Sequence, residues 1–530
     1  MSLLKLSNPR KLTDWCALWP ALGEQLDGHP LAEIPFIRLV HDSRLIESGD
    51  VFFALTGTQQ KGLAFVEQAW QQGALLAVTE GDLALEKHSG GWLLKLPSLA
   101  ARLGQLLALN TQAPLQAIKT QAVTGTNGKS SVAHYLCQVW QLLGKRCALV
   151  GTLGNGELSQ LQTTTHTTPD LFQLHQLYSD WAAKGIRQVT LEASSHALDQ
   201  GRLAGLQMTS GIFTNLSRDH LDYHGSLDAY ASAKQQLFLR PELESAVLNL
   251  DDAQTGQWLA VLQESNPPKR LLGYSLKPPT RLQSQLTSIT CLNVLQASYT
   301  LAGIRADILY QQQTWQLNLP LLGAFNLANG LAVMAALLAE GIAMPVLLTA
   351  MQQLKPVPGR MQPISFAASD NSALPQLVVD YAHTPDALEQ ALLALRKHCE
   401  GRLWCVFGCG GNRDTGKRYL MGEVAERLAD QVVVTDDNPR NEDPAAIRQA
   451  ILTGAGYSAI EVAGRQEAIQ QAVNLAAEND WVLIAGKGHE TWQEIAGERF
   501  HFNDVEEAHA ALHLRALNHK NTAQCPSILP

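Results

Sequence analysis

Residues Ile118–Leu143 read IKTQAVTGTNGKSSVAHYLCQVWQLL. Ile118 to Thr124 carries Ile, Val and Thr and predicts a short strand. The turn Gly125-Thr126-Asn127-Gly128-Lys129-Ser130-Ser131 follows. Beyond it Val132, Tyr135, Leu136, Val139, Leu142 and Leu143 recur at helical spacing. Strand, glycine turn and helix make the layout of a phosphate-binding loop. Glycines let the backbone bend until several N–H groups face one anion. The helix N-terminus adds its partial positive charge. Lys129 would reach the terminal phosphates, and the Ser130 hydroxyl would ligate magnesium. The strict spacing G-x-x-x-x-G-K-[ST] fails at one position, where Val123 replaces the first glycine. The competing reading is an ordinary glycine-rich βα turn; the strand and helix on either side favour the phosphate loop.

A chain of 530 residues predicts about two to four domains. Its hydrophobic content of 46% can fill cores of full size. A net charge of −9 argues against a general binder of nucleic acid or of a membrane surface. No apolar run is long enough to span a bilayer. The start, MSLLKLSNPRKLTDW, lacks the apolar core and cleavage site of a secretory signal. The eight cysteines are scattered, and Cys405 and Cys409 lack the second pair that a zinc site needs. A reducing cytoplasm is the expected location.

The fold expected is α/β with three domains. A small N-terminal α/β domain covers 1–117, a central P-loop ATPase-like domain 118–343, and a C-terminal Rossmann-like domain 344–530. In the first, Val51 to Leu55 and Gly73 to Val78 read as strands, and Phe65 to Trp70 and Leu99 to Leu109 as helices. Its polar clusters, His41-Asp42-Ser43-Arg44 and Thr56-Gly57-Thr58-Gln59-Gln60, fit turn and cap chemistry as well as binding. In the second, Thr163 to Asp170 offers hydroxyls and N–H groups to an anionic or sugar ligand, or simply caps a helix. A strand Gln188 to Leu191 ends at Glu192, and another, Ile212 to Thr214, ends at the polar run Asn215 to Gly225. Tyr230 to Phe238 opens a helix. Open α/β sheets bind ligands at the carboxyl ends of their strands. Glu192 and Ser130 are hard oxygen ligands suited to magnesium, and His220 suits a second ion. Gly323 to Gly330 precedes an apolar helix, where Asn326 and Asn329 would share a face and contact an adenine or cap the helix. In the third, the strands Leu377 to Asp380, Leu403 to Phe407, Val432 to Val434 and Val482 to Ile484 end in glycine or charge. Gly408 to Gly411 matches a dinucleotide fingerprint only loosely.

These stretches together resemble the Mur ligases, the ATP-dependent amide-forming enzymes of peptidoglycan precursor synthesis. GTNGKSS (125–131), EASSH (192–196), NLSRDHLDYHG (215–225), YASAKQQLF (230–238), GAFNLAN (323–329), VPGRM (357–361), VVDYAHTPDAL (378–388), FGCGGNRDTGKR (407–418), DDNPR (436–440) and AGKGHE (485–490) occur in family order, nearly end to end. The resemblance implies a ligase that adds meso-2,6-diaminopimelate to UDP-N-acetylmuramoyl-L-alanyl-D-glutamate through an acyl phosphate. It implies ATP and two Mg2+ ions, small-molecule substrates, no nucleic acid or membrane partner, and a monomer.

Carried over residue by residue, the resemblance gives Lys129, Glu192, His220 and Lys234 catalytic roles. Gly125, Thr126, Asn127, Gly128, Lys129, Ser130, Ser131, Asn326, Arg360 and Asp380 would bind ATP. Ser43, Thr167, Thr168, Ser194, Gln200 and Arg202 would bind the UDP-linked substrate. Arg413, Asp437, Asn438, Pro439, Arg440, Gly486 and Glu490 would receive diaminopimelate. Ser130, Glu192, His220 and Lys234, the last as a carbamate, would hold metal. Diaminopimelate ends in a carboxylate and an ammonium where lysine has only the ammonium; a guanidinium at Arg440 can grip that carboxylate, and Asp437 or Glu490 can take the ammonium.

The chain departs from the family pattern at Ser130-Ser131, where Thr-Thr is commoner, at Lys61-Gly62-Leu63, and at Ala193. The glutamine-rich segment 282–313 has no functional reading. Two other classes compete. A lysine-adding or folate-type ligase is disfavoured by Arg440. A nucleotide-binding regulator without catalysis is disfavoured by the intact Lys129, Glu192, His220 and Lys234.

Overall fold

The computed structural model describes residues 2–55, 62–111, 115–164, 166–265, 268–279, 289–365 and 374–523. The polar cluster at 56–60, Lys61, Thr165, Cys525 and residues 282–288 lie outside the described residues. The chain forms two compact units, Met1–Leu248 with Asp252–Leu271, and Asn249–Asp251 with Leu272–Pro530.

The first unit opens with β1 (Leu3–Arg10), β2 (Phe36–Val40), β3 (Val51–Phe53), β4 (Leu76–Glu80), β5 (Ala84–Lys87) and β6 (Trp92–Leu96). They form one sheet in the order β1-β2-β3-β4-β6-β5. Only β1 and β5 run antiparallel to their neighbours. Its core gathers Trp15, Phe36, Phe53, Leu76 and Leu106 and reaches Phe172 of the central region. The Trp15 indole donates to Asn110 Oδ1 at 3.2 Å, so the one polar atom of this ring is satisfied within the core.

The central strands are β7 (Lys119–Thr124), β8 (Cys147–Gly151), β9 (Gly154–Glu157), β10 (Gln188–Glu192), β11 (Met208–Phe213) and β12 (Ser245–Asn249). They run in the order β12-β11-β7-β10-β8-β9. All are parallel except β9. β8, β10 and β11 are buried along their whole length, as expected of parallel strands covered on both faces. After β10 the chain crosses β7 to lay down β11 on its other side. This order puts a topological switch point at β7, where such sheets bind ligands. Glu192 pairs with Val123, and Phe213 with Thr124, so the glycine turn, Glu192 and Thr214 leave the sheet at one edge.

In the second unit β13 (Arg270–Ser275) pairs in parallel with β14 (Thr290–Thr300). An antiparallel meander continues with β15 (Gly303–Tyr310) and β16 (Gln313–Leu319). The described part of the glutamine-rich segment is therefore strand, closed by Gln311 and Gln312 at φ +47° and +64°. Two positive φ angles in a two-residue loop match the twist of a tight hairpin. The C-terminal sheet has the order β17-β18-β22-β19-β20-β21, built from β17 (Gln362–Ile364), β18 (Gln376–Asp380), β19 (Leu403–Phe407), β20 (Gln431–Val434), β21 (Ile460–Glu461) and β22 (Trp481–Ala485). β22 returns between β18 and β19, aligning Asp380, Ala485 and Phe407 at the carboxyl edge. The hairpin of β23 (Trp492–Ile495) and β24 (Glu498–His501) precedes the last helix, Asp504–Ala523.

Two helix boundaries differ from the sequence reading. The helix holding Lys234 spans Leu227–Gln235, because Ser226 Oγ accepts from Ala229 N at 3.1 Å and sets its start. The apolar helix starts at Ala324, so Asn326 and Asn329 lie inside it.

Candidate active site

The glycine turn is fixed from one side by the segment that leaves β11. Thr126 N donates to Asn215 O at 2.8 Å and Asn127 N to Asn215 Oδ1 at 3.0 Å. Thr214 Oγ1 donates to Asn127 O at 2.5 Å, and Ser217 N to Thr126 Oγ1 at 2.9 Å. A Cβ on Gly125 would collide with Thr214 Oγ1, and Gly125 sits at φ +148°, so this position needs glycine. The helix Lys129–Leu142 begins at once, its first turn facing the loop.

The charged groups converge on that loop. Lys129 Nζ donates to Gly125 O at 2.9 Å and to Thr126 O at 2.7 Å. Lys234 Nζ donates to the same Gly125 O at 2.8 Å and lies 4.2 Å above the Tyr230 ring. Burial, and then the charge of Lys129, push the Lys234 amine well below the ordinary lysine value; Asp219 opposes them. Ser130 Oγ donates to Glu192 Oε2 at 2.8 Å. Glu192 is buried and also accepts from Thr152 N at 2.8 Å. His220 stands apart from this group. Its side chain is 48% exposed, its backbone is left-handed at φ +52°, and its ring lies beside Asp219 and against His196.

The residues expected to hold the UDP-linked substrate form one network next to Glu192. Thr168 Oγ1 lies 2.6 Å from Glu192 O and 3.1 Å from Ser194 Oγ. Arg202 Nη1 donates to Thr168 O at 2.8 Å, and its Nη2 to Gln200 Oε1 at 2.6 Å. Burial lowers the Arg202 pKa, with Asp170 opposing. Thr167 Oγ1 accepts from Thr152 at 3.1 Å. Ser43 belongs elsewhere in this unit, in the short turn Ser43–Leu45 that Asp42 caps.

In the second unit Asn326 Nδ2 donates to Leu322 O at 2.8 Å, and Asn326 Oδ1 accepts from Asn329 at 3.1 Å. Neither bond is a helix cap: the N-cap position is Gly323, and no side chain caps this helix. Asp380 accepts from Met361 N at 2.6 Å and from Ala382 N at 2.8 Å. Burial raises its pKa, and Arg360 opposes the rise. The Arg360 guanidinium lies 4.5 Å over the Tyr381 ring, which also meets His489 at 5.2 Å. Among the described residues, buried Arg360 Nε and His489 Nδ1 have no hydrogen-bond partner.

The DDNPR and AGKGHE stretches meet at the carboxyl edge of the same sheet. Asn438 Nδ2 donates to Glu490 Oε2 at 2.9 Å. Lys487 Nζ donates to Asn438 Oδ1 at 3.0 Å and to Glu490 Oε2 at 3.1 Å. A Cβ on Gly486 would lie 2.7 Å from Asp437 Oδ2, which explains glycine at φ +119° there. Arg440, at φ +52°, is held by its backbone: its N–H donates to Glu494 O at 3.0 Å and its C=O accepts from Ala496 N at 2.7 Å. Its Nη1 donates to Gly411 O at 2.7 Å, and its Nε lies 3.6 Å from the Glu494 carboxylate. Pro439 O accepts from Glu442 N and closes the turn. Arg413 lies exposed on the neighbouring loop, which Gly411 N ties to Asn438 O at 2.9 Å.

Sequence reading assigned no role to Thr152, Lys487, Gln493 or Glu494. Thr152 follows the end of β8 and carried the same strand-end signal as Glu192. Lys487 stood inside a quoted stretch, three residues before Glu490. For Gln493, whose Nε2 donates to Asp437 O at 2.5 Å, and for Glu494, no local signal exists.

Ser130 and Glu192 are hard oxygen donors already in contact, and their chemistry fits one magnesium ion. Lys234, as an amine that donates to Gly125 O, offers a metal no anion. Among the described residues no group of three or more His, Cys, Asp or Glu side chains could hold a metal by itself. No helix among them is long and apolar enough to cross a membrane.

Comparison with known proteins agrees with this geometry. The Mur ligase middle domain matches residues 123–337, and the Mur ligase glutamate ligase domain matches residues 359–488. A protein of Ectopseudomonas mendocina named UDP-N-acetylmuramoyl-L-alanyl-D-glutamate–2,6-diaminopimelate ligase is 44% identical over 89% of this chain and 94% of its own. One of the same name from Vibrio vulnificus is 40% identical over 96% of this chain and 99% of its own. A solved structure carrying that ligase name superposes with a TM-score of 0.67 at 38% identity, covering 92% of this chain and 98% of its own. With identity of this degree running almost end to end, the chain belongs to the Mur ligase family.

Proposed function

We propose that this chain is an ATP-dependent ligase that joins meso-2,6-diaminopimelate to the D-glutamyl γ-carboxylate of UDP-N-acetylmuramoyl-L-alanyl-D-glutamate. The observation that carries the reading is a cluster of mixed charge in which Arg440 lies against Glu494, and Asn438 bonds both Glu490 and Glu494 N. The ligase name of relatives that match nearly the whole chain supports it.

The γ-carboxylate oxygen attacks the terminal phosphorus of ATP, the bond to the bridging oxygen breaks, and ADP leaves. The resulting acyl phosphate is attacked by the amine of diaminopimelate. A C–N bond forms, the amine gives up a proton, and inorganic phosphate departs with the C–O bond. Such chemistry needs positioning and charge neutralisation above all. Lys129 turns its ammonium from Gly125 O and Thr126 O to the phosphates. Thr168, Ser194, Gln200 and Arg202 orient the UDP-linked substrate, and Ser43 contacts its uridine part. Arg360 and Asp380 serve the ribose or phosphate of ATP, and Asn326 its adenine. Ser130 and Glu192 would hold magnesium, which when bound would neutralise phosphate charge. The depressed amine of Lys234 is suited to capture carbon dioxide, and as a carbamate Lys234 would hold a second magnesium together with Glu192 and His220. Arg440 takes the distal carboxylate of diaminopimelate, and Arg413, Asp437, Gly486 and Glu490 its other polar groups.

The same reading divides the chain at 117/118 and 343/344 and makes it a cytoplasmic monomer. The experiment is phosphate release with the UDP-linked dipeptide, ATP and magnesium, comparing meso-diaminopimelate with L-lysine, with mass analysis of the product. Tripeptide formed only with diaminopimelate is expected. Turnover with lysine in its place would refute the amino-acid assignment.

A further inference from the structure

Lys487 is fully buried, yet it is the one cation bonded to both Asn438 and Glu490 among the contacts of this cluster. Two donors, Lys487 Nζ and Asn438 Nδ2, land on the same oxygen of Glu490, Oε2. Its other oxygen, Oε1, takes neither bond, and the Glu490 side chain keeps 21% of its exposure. Asn438 is equally constrained, because its Oδ1 accepts from Lys487 and from Glu494 N at 3.0 Å, which fixes which way its amide points. The charges also balance. Arg440 lies against Glu494 and Lys487 against Glu490, so these two pairs contribute no net charge to the loop cluster.

Two ion pairs with separated poles suit a ligand end of the same kind. The distal end of diaminopimelate is a zwitterion, one carboxylate and one ammonium, whereas the distal end of lysine is a lone cation. We propose that Lys487 is a positioning residue for amino-acid selection: it aims Glu490 Oε1 at the incoming ammonium and cancels the Glu490 charge, so that the cluster prefers a zwitterionic terminus to a cationic one. Lys487 itself touches no substrate. Without it Glu490 is a full, mobile anion, and the cluster acquires the charge that attracts lysine. Selectivity is a difference of two affinities, and a change of local charge by one unit alters the attraction of a cation more than that of a zwitterion.

This inference rests on the proposed amino-acid substrate. The test therefore begins with the unaltered enzyme: failure to use diaminopimelate there refutes that proposal and not this one. With activity established, Lys487→Met and Lys487→Gln are compared with wild type for kcat and KM toward both amino acids, with KM for ATP and for the UDP-linked dipeptide measured alongside. For Lys487→Met the preference for meso-diaminopimelate over L-lysine, as a ratio of kcat/KM, is expected to fall by about thirty-fold or more. The change should lie mainly in KM for the amino acid, and KM for the other two substrates should stay within about twofold. Lys487→Gln keeps a donor and loses the charge, so it carries the same prediction if the methionine variant does not fold. Equal loss toward both amino acids, or an unchanged ratio in a folded variant, overturns the proposal.

Discussion

The phosphate loop and the Arg440 cluster each leave the carboxyl edge of a parallel sheet, and they hold their charges in different ways. In the loop, the ammonium groups of Lys129 and Lys234 rest on backbone carbonyls, Gly125 O and Thr126 O. In the cluster, cations rest on carboxylates: Arg440 beside Glu494 at 3.6 Å and Lys487 on Glu490 at 3.1 Å. Beneath the cluster, Arg465 and Asp504 form a wholly buried pair at 2.6 Å, and Arg465 Nη2 also donates to Ala485 O, just before Gly486. A neutral carbonyl releases a donor to an arriving phosphate at less cost than a carboxylate would. A cluster whose charges are already paired has no such pull on an anion. It presents fixed, opposite poles, which suit a ligand carrying both signs. The difference teaches that the two sites are built for ligands of different net charge.

The largest test breaks the phosphate half. Lys129→Met should lower phosphate release on the order of 10³-fold at saturating ATP, because the developing phosphoryl charge loses its only flexible cation in the helix's first turn. A loss of less than about tenfold would mean that the loop carries the phosphates through its backbone alone. Arg440→Met comes next and breaks the paired half. It should cost about 2–5 kcal/mol in kcat/KM for diaminopimelate, since a guanidinium of limited exposure loses a charged partner. L-Lysine, which lacks the carboxylate, should be little affected. Equal losses for both amino acids would show that Arg440 serves the loop's shape and not the ligand. Glu494→Ala sharpens the same half with a smaller effect. Arg440 keeps its bond to Gly411 O and its backbone bonds to the hairpin, so only a part-exposed ion pair at 3.6 Å is lost. A rise in KM for diaminopimelate worth about 0.5–1 kcal/mol is expected, read from steady-state kinetics.

How much of this could be read from the chain depends on distance along it. Ile118 to Leu143 states its strand, turn and helix within one stretch, and the structure repeats that order as β7, the glycine turn and the helix Lys129–Leu142. Glu192, Asp380 and Gly486 were legible for a similar reason, because each follows a short apolar run with the pattern of a buried strand. Boundaries were less legible. Ser226 caps its helix through Ala229, a local signal overshadowed by the more familiar Tyr230 to Phe238 stretch. Spacing leaves Asn326 between adenine contact and capping; its bonds to Leu322 O and Asn329 depend on side-chain geometry that spacing does not contain. The contacts of Gln493 and Glu494 with residues 437–440 were illegible, since they join segments more than fifty residues apart. The meander of β14 to β16 was hidden by its polar composition; one face carries Gln, Asn and Arg, which a buried-strand pattern excludes.

The smallest expected effect on activity comes from Asp480, just before the start of β22, the strand that leads into Gly486 and Lys487. Its carboxylate accepts from Ala477 N and Arg402 N at 2.8 Å and from the Trp404 indole at 3.0 Å. Burial pushes this carboxyl up, yet the three donors outweigh it and hold the pKa below the usual aspartate value. A carboxyl with a depressed folded pKa binds more protons when unfolded. Its stabilisation is therefore complete above the unfolded value of about 3.9 and is lost as pH falls through the lower folded value. Asp480→Asn turns one acceptor into a donor that faces N–H groups, which should cost about 1–3 kcal/mol near neutral pH. Thermal unfolding of the two proteins should differ steadily from about pH 5 to pH 8 and converge below about pH 4. The choice between diaminopimelate and lysine should not change. If it did, the selectivity of the Arg440 cluster would depend on how β22 is anchored at its start, and the pairing of Lys487 with Glu490 would be a consequence of that anchoring and not its own cause of order.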